Sequence, residues 1–119
     1  MIQKKFSYGL EYDVQFKDGF KVDVHVKETN NTYLLDISDM RDIYIELKIY
    51  DKDGKLLQIT SGMRNPLSSL EVKMINGKNQ LVSLQRVIGT SNAETLGYVQ
   101  GTWSIENNEV KLINVEVIK

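Results

Sequence analysis

The sequence predicts an all-β domain, an antiparallel β-sandwich of about eight strands, and three observations support that prediction. Apolar and polar side chains alternate with a period of two in several short segments, as in strands that bury one face. Stretches with Gly, Asn and Asp turn chemistry separate these segments at regular spacing. Ile, Val and Tyr are frequent whereas alanine occurs once, at Ala93, which favours strands over helices. A small barrel is the alternative architecture.

The first hairpin is predicted from residues 10–16 and 20–26, which both alternate strictly. The turn between them contains Gly19, which can adopt the positive φ that a tight hairpin needs. A polar turn at residues 28–31 and a short strand at residues 33–37 follow.

The middle of the chain predicts a second hairpin. Residues 43–49 show the most regular alternation in the sequence, with isoleucine or leucine at every second position. Asp51-Lys52-Asp53-Gly54 is a strong hairpin turn, and residues 55–60 form the returning strand. Helical character is confined to residues 39–42, as a single turn.

Two more hairpins are predicted towards the C-terminus. Residues 70–75 and 80–87 flank the turn Asn76-Gly77, and residues 97–105 pair with 110–118. The alternation slips near Leu112-Ile113, which predicts a β-bulge. No linker or internal repeat interrupts the pattern, so residues 1–119 are expected to form one domain.

Composition narrows the classes of partner. The 119 residues include no cysteine, and a net charge of −1 is spread evenly over 15 basic and 16 acidic residues. This balance argues against a nucleic-acid footprint. No apolar run approaches the roughly 20 residues needed for direct membrane insertion. The expected location is cytoplasmic if Met1 is the native start, and extracytoplasmic if an N-terminal anchor has been removed.

No catalytic, metal or cofactor site is predicted. The single histidine, His25, falls on the wet face of its strand, where a solvated side chain is favoured over a catalytic base. Asp51 and Asp53 begin like a calcium loop, but Gly54 comes too early for that pattern, so a hairpin turn is the better account. Trp103 is expected in the core. An enzyme is therefore the least favoured class.

The candidate partner-binding segment lies within residues 61–69, the longest irregular stretch in the chain. It has two large apolar side chains outside any strand pattern, and its proline pushes the preceding residue towards an extended conformation. A pre-extended loop loses less entropy on binding. The alternative is that the apolar side chains pack under the edge of the sandwich. The predicted binding residues are Met63, Arg64, Asn65, Pro66 and Leu67.

Four segments, VHVKETNNT (24–32), IELKIYDKDG (45–54), VKMINGK (72–78) and LGYVQGTWSI (96–105), resemble in order and spacing the intracellular proteinase inhibitor (BsuPI-type) family. That resemblance implies an immunoglobulin-like β-sandwich that binds proteases. Residues 16–45 also resemble part of the archaellar periplasmic stator domains, which are immunoglobulin-like anchoring modules.

Two functions are therefore expected for the chain. The first is a non-catalytic protein-binding module, inhibitor-like, with a protease as partner. The second is a structural or anchoring module of a cell-surface or archaellum-type assembly, whose contacts would be sheet faces or edge strands. A homodimer through an edge strand is a further expectation.

Overall fold

The computed structural model describes residues 9–64, 69–107 and 109–119, which fold into two antiparallel β-sheets. The first sheet contains, in spatial order, β1 (Tyr12–Lys17), β2 (Lys21–Val26) and β3 (Asn31–Asp36). The second contains β4 (Met63–Arg64), β5 (Ser69–Ile75), β6 (Lys78–Ile88), β7 (Thr95–Glu106) and β8 (Glu109–Ile118). Its order is β4-β6-β7-β8, and β5 also pairs with β6. The all-β prediction is confirmed, and the arrangement is consistent with a β-sandwich.

The first predicted hairpin is confirmed with its inward and outward faces. In β1 the buried residues alternate with exposed or half-buried ones, and Val14 lies opposite Val24 of β2. The turn closes with Gly19 at φ +85° and Phe20 at φ +56°, so the backbone is left-handed where the glycine occurs. The buried face of this hairpin is one wall of the core.

Residues 60–64 close one side of the sandwich by passing from the first sheet to the second. The Phe16 amide donates to the Thr60 carbonyl at 3.0 Å, and the Gly62 amide donates to the Val14 carbonyl at 2.9 Å. The chain then enters β4, where Met63 pairs with Ile88 of β6. One short segment thus extends the β1 edge and then the β6 edge.

Polar side chains connect the two sheets elsewhere. The Tyr12 hydroxyl donates to the Arg86 carbonyl at 2.6 Å. The buried Gln85 side chain accepts from the Leu10 amide at 2.6 Å and donates to the Leu10 carbonyl at 3.2 Å. On the opposite side, the Tyr33 hydroxyl donates to the Val115 carbonyl at 3.2 Å. These bonds satisfy backbone groups that would otherwise be unpaired inside the sandwich.

The strand predicted at residues 43–49 is wrong, because this segment forms the helix α1 (Arg41–Glu46) and a turn. Ile43 and Leu47, assigned to the buried face of a strand, are 46% and 48% exposed, whereas Tyr44 is fully buried. The Tyr44 ring packs edge-on against Phe16, with ring centroids 5.3 Å apart. Burial of the aromatic residue thus overrides the local period-two pattern. A 3-10 turn, Ser38–Met40, precedes the helix where a helical turn was predicted.

The returning strand predicted at residues 55–60 is also wrong, although the turn before it is confirmed. The Asp51 carboxylate accepts from the amides of Asp53 and Lys55, both at 2.9 Å, and Gly54 has φ +85°. Beyond the turn only an isolated bridge between Tyr50 and Leu56 forms. Because no strand lies on either side of the turn, strand pairing does not extend beyond this bridge.

The two C-terminal hairpins are confirmed, as is the bulge. Asn76 and Gly77 both have positive φ at the β5–β6 turn. In the β7–β8 ladder, Thr102 lies opposite Asn114 while Trp103 lies opposite Leu112, which leaves Ile113 as the extra residue. The bulge keeps the apolar residues on both sides of it facing the core. In the described part of the chain no helix is long and apolar enough to cross a membrane.

Candidate binding site

The structure describes only part of the binding segment predicted from sequence. Met63 and Arg64 form β4 and are both exposed, Met63 by 43%. The segment is therefore an edge strand at its start rather than an irregular loop. Asn65, Pro66 and Leu67 lie outside the described residues, so their assignment to a binding surface stays a prediction.

The surface beside Arg64 is an open, charged groove of about 540 Å³ that also contains Asp13, Gln15 and Lys27. One guanidinium nitrogen of Arg64 lies 3.8 Å from a carboxylate oxygen of Glu11. Ion pairs this exposed contribute little free energy. The groove presents mixed charge and little apolar surface, so it offers a partner weak and salt-sensitive contacts.

A second groove, of about 460 Å³, lies between β3 and β8 and was not predicted from sequence. β3 is an edge of the first sheet and β8 an edge of the second, and the groove follows the side where these edges meet. Its lining combines polar and apolar side chains: Glu28, Thr29, Asn31, Tyr33, Trp103, Leu112, Ile113, Asn114 and Val115. We call this the β3–β8 groove.

The floor of the β3–β8 groove is an aromatic side chain held in a fixed orientation. Trp103 is only 6% exposed, and its indole N–H donates to the Ser83 hydroxyl at 3.1 Å. The same hydroxyl donates to the Gly101 carbonyl at 3.4 Å. Leu112 lies opposite Trp103 and extends the apolar floor. The core position predicted for Trp103 is correct, and Trp103 also lines the groove.

The bulge in β8 shapes one wall of this groove. As the extra residue, Ile113 is 52% exposed, and both Ile113 and Asn114 line the groove. Bulges commonly redirect a side chain beside a functional site. The slip in alternation near Leu112-Ile113 was the sequence signal for this wall, but it carried no information that β3 would lie beside it.

Thr29 supplies an unsatisfied polar atom to the β3–β8 groove. Its hydroxyl oxygen is inaccessible to solvent and has no hydrogen-bond partner among the described residues. Buried polar groups are nearly always paired, so this orphan hydroxyl in the lining of the groove is an exception to the usual pattern. Asn31 and Asn114 add amide groups to the same lining.

The remaining polar clusters have structural accounts. The Tyr44 hydroxyl donates to the Glu94 carboxylate at 2.6 Å and joins α1 to the β6–β7 loop. His25 shares a 2.8 Å hydrogen bond with the Thr32 hydroxyl across the outer face of β2 and β3. In residues 9–64, 69–107 and 109–119, no group of three or more His, Cys, Asp or Glu side chains is placed to hold a metal ion.

The fold and the groove define a small two-sheet β domain with an open cleft between edge strands. The chain belongs to the family described as YybI C-terminal domain, which matches residues 10–118. A Bacillus subtilis (strain 168) protein described as "Uncharacterized protein YybI" is 36% identical over 93 residues. The aligned part covers 76% of this chain and 35% of that relative, so the chain spans about a third of the relative's length.

No solved structure matches the chain. The comparisons show no link to the BsuPI-type inhibitors or to the archaellar stator domains, the two resemblances drawn from sequence segments.

Proposed function

We propose that this domain is a non-catalytic protein-binding module that holds an extended segment of a partner protein in the β3–β8 groove. The observation that carries the proposal is the meeting of two strand edges over a partly apolar floor. In the described residues, β3 pairs only with β2 and β8 pairs only with β7, so each has an edge without a strand partner, although the Val115 carbonyl of β8 already accepts from the Tyr33 hydroxyl.

An extended segment is the occupant that this geometry favours. Edge strands bind other chains by adding a strand, because main-chain hydrogen bonds supply affinity and side-chain pockets supply specificity. Trp103 and Leu112 would contact apolar side chains of such a segment, and the orphan hydroxyl of Thr29 would gain a partner if its side chain rotates into the groove. Asn31 and Asn114 line the groove, and their amide groups would bond the main chain of the segment.

The immunoglobulin-like assignment is part of the same proposal. It is supported by the two antiparallel sheets and by the short segment that passes from the edge of β1 to the edge of β6. The partner is a protease in the inhibitor-like version and an assembly subunit in the anchoring version.

Selection of peptides from a random 12-residue display library tests the groove. The purified domain serves as bait, and amide chemical shifts of the domain locate each selected peptide. We expect the shifted amides to fall in β3 and β8. Failure to select any peptide would contradict the proposal, as would peptides that shift only residues around Met63 and Arg64.

Two groove variants and one control sharpen this test. Thr29→Val removes an unpaired hydroxyl, so it should leave stability unchanged or higher while it weakens peptide binding. Ile113→Asp places a charge on an exposed wall and should also weaken binding. The control is Met63→Ala/Arg64→Ala, which alters the segment predicted from sequence and should leave binding unchanged. If only the control weakened binding, the binding site would be assigned to the segment of Met63 to Leu67 instead of the groove.

The inhibitor-like version has its own test. Residual activity of several subtilisin-like proteases is measured after mixing with the purified protein up to a molar excess. Inhibition that Thr29→Val or Ile113→Asp weakens would support a protease as the partner. No inhibition of any enzyme would exclude this version and favour the anchoring one.

A further inference from the structure

The most exposed apolar row in the described structure lies on β5, at the opposite edge of the second sheet from the β3–β8 groove. All seven residues of β5 are exposed, and in the described part of the chain this strand pairs only with β6. Leu70, Val72 and Met74 are 38%, 61% and 73% exposed, and they alternate along the strand. Alternate residues share one face of a sheet.

This row lies on the core-facing side of the second sheet, past the part of that side that is buried. Val72 lies opposite Leu81 of β6, and Leu81 lies opposite Trp103 of β7. Leu81 and Trp103 belong to the core, so the β5 row continues the core face. Edge strands with such a row attract another strand, and proteins commonly protect them with inward charges, proline or a covering element. No proline or inward-facing charge interrupts β5.

The charges on β5 are arranged so that the strand complements itself. Glu71 and Lys73 flank Val72 on the opposite face from the apolar row. If two copies pair antiparallel about a two-fold axis at Val72, Glu71 of each copy lies opposite Lys73 of the other. The same register places Leu70 opposite Met74. Opposite charges on directly facing residues stabilise a strand pair, and like charges destabilise it.

Neighbouring registers lack this match. An axis at Glu71 sets two carboxylates opposite each other, and an axis at Lys73 sets two ammonium groups opposite each other. A shift by a single residue places charged residues opposite apolar ones and reverses the faces of the second copy. Only the register centred on Val72 sets the apolar residues of the two copies opposite each other and also sets Glu71 opposite Lys73.

We propose that a second copy of this chain binds along β5, in antiparallel register about a two-fold axis at Val72. The two five-stranded sheets then form one continuous sheet, and the apolar rows of both copies lie side by side on one face. The contact is isologous, so it closes at two copies. It leaves the β3–β8 groove of each copy free, so it does not depend on the function proposed for that groove.

Sedimentation velocity of the whole chain over a range of concentrations tests the proposal. We expect a species of twice the 13.7 kDa chain mass that dissociates on dilution. Glu71→Lys and Lys73→Glu should each shift the protein to monomer, because each variant sets like charges opposite one another. An equimolar mixture of these two variants should restore the dimer, since every facing pair is then of opposite sign.

The equimolar mixture shows whether the two variants act on a contact between chains or on the structure within one chain. Glu71 and Lys73 also form an ion pair within β5, with nitrogen and oxygen 3.8 Å apart, and mixing cannot restore that pair. Lys52→Glu, in an exposed turn, makes the same charge change as Lys73→Glu and should leave the dimer unchanged. A wild-type monomer at all concentrations would overturn the proposal, as would a dimer indifferent to both single variants.

A single introduced thiol tests the register. The chain has no cysteine, so Val72→Cys provides one thiol per copy. Directly facing residues have Cα atoms about 4.5–5.5 Å apart, within the range that a disulfide spans. We expect Val72→Cys to form a disulfide-linked dimer on mild oxidation. Ile75→Cys on the same strand should not, since its two copies would lie about 20 Å apart. Equal cross-linking of both would reject the register.

Discussion

Tyr44 and Glu94 form one of the contacts that attach α1 to the rest of the fold. Burial raises the pKa of Tyr44, and the hydrogen bond to Glu94 raises it further. Burial also raises the pKa of Glu94, but hydrogen bonds from Tyr44, Thr90 and Ser91 outweigh that effect and hold it below its ordinary value. The carboxylate is thus better stabilised in the folded chain than in the unfolded one.

The lowered pKa of Glu94 predicts an acid-sensitive contribution to stability. A depressed folded-state pKa contributes stability above the unfolded pKa, about 4.3 for glutamate, and this contribution is lost as pH falls through the folded value. We expect the free energy of unfolding of wild type to fall more steeply below pH ~4.3 than that of Glu94→Gln. Urea denaturation from pH 7 to pH 3 measures both. Parallel curves would contradict the prediction.

Gly62 is the residue that permits the crossing between sheets. A Cβ at this position would overlap the Ile88 carbonyl oxygen and lie 2.6 Å from a methyl carbon of Val14. We expect Gly62→Ala to reduce the free energy of unfolding by about 1–3 kcal/mol, because neither neighbour can move freely. The exposed neighbour Ser61 provides the control: Ser61→Ala should change stability by less than about 0.5 kcal/mol. Equal effects would show that the crossing is not tightly packed.

At the scale of elements, local chemistry predicted the hairpins but not the helix. The hairpins at Gly19 and at Asn76-Gly77 need only alternation and a residue that accepts positive φ, and both signals are local. Residues 43–49 alternate equally well, yet the fully buried side chain is Tyr44, and Ile43 and Leu47 are exposed. The position of Tyr44 depends on Phe16 and Glu94, which are distant in sequence, so no local pattern could reveal it.

A pair of isoleucines distinguishes the helix from the strand predicted at residues 43–49. Ile43 and Ile49 would share one buried face in a strand, but here Ile43 is 46% exposed and Ile49 is 8% exposed. We expect Ile49→Ala to cost about 2–5 kcal/mol of unfolding free energy, as for other buried residues. Ile43→Ala should cost less than about 1 kcal/mol, since its side chain is already partly hydrated. Urea denaturation measures both, and equal losses would support the strand.

The candidate site, the β3–β8 groove, was likewise only partly predictable from local sequence patterns. The bulge at Ile113 was visible as a break in alternation, and Trp103 was expected in the core. Their combination with Thr29 depends on two sheet edges, β3 and β8, meeting on one side of the sandwich. Sheet order is a property of the whole chain, which explains why a loop was predicted as the binding site instead.

At the scale of the whole molecule, the two sheets are unequal and only part of the larger one is covered. The first sheet has strands of six residues, whereas β7 has 12 residues and spans about 40 Å. The molecule measures 54 × 27 × 25 Å, longest in one direction. Burial follows this inequality, because Val87 and Val99 are fully buried while every residue of β5 is exposed.

Uneven burial predicts uneven protection of backbone amides from hydrogen exchange. Segments with little buried apolar surface open locally at low free-energy cost. In dilute protein we therefore expect the β5 amides to exchange much faster than those of β2 and of β6 near Val87. At high concentration, pairing about Val72 should slow the β5 amides that face outward, while the β2 amides keep their rates. Exchange measured by NMR at two concentrations gives both comparisons. Uniform protection would contradict the uneven burial of the larger sheet. Exchange rates in β5 that do not depend on concentration would contradict the binding of a second copy along this strand.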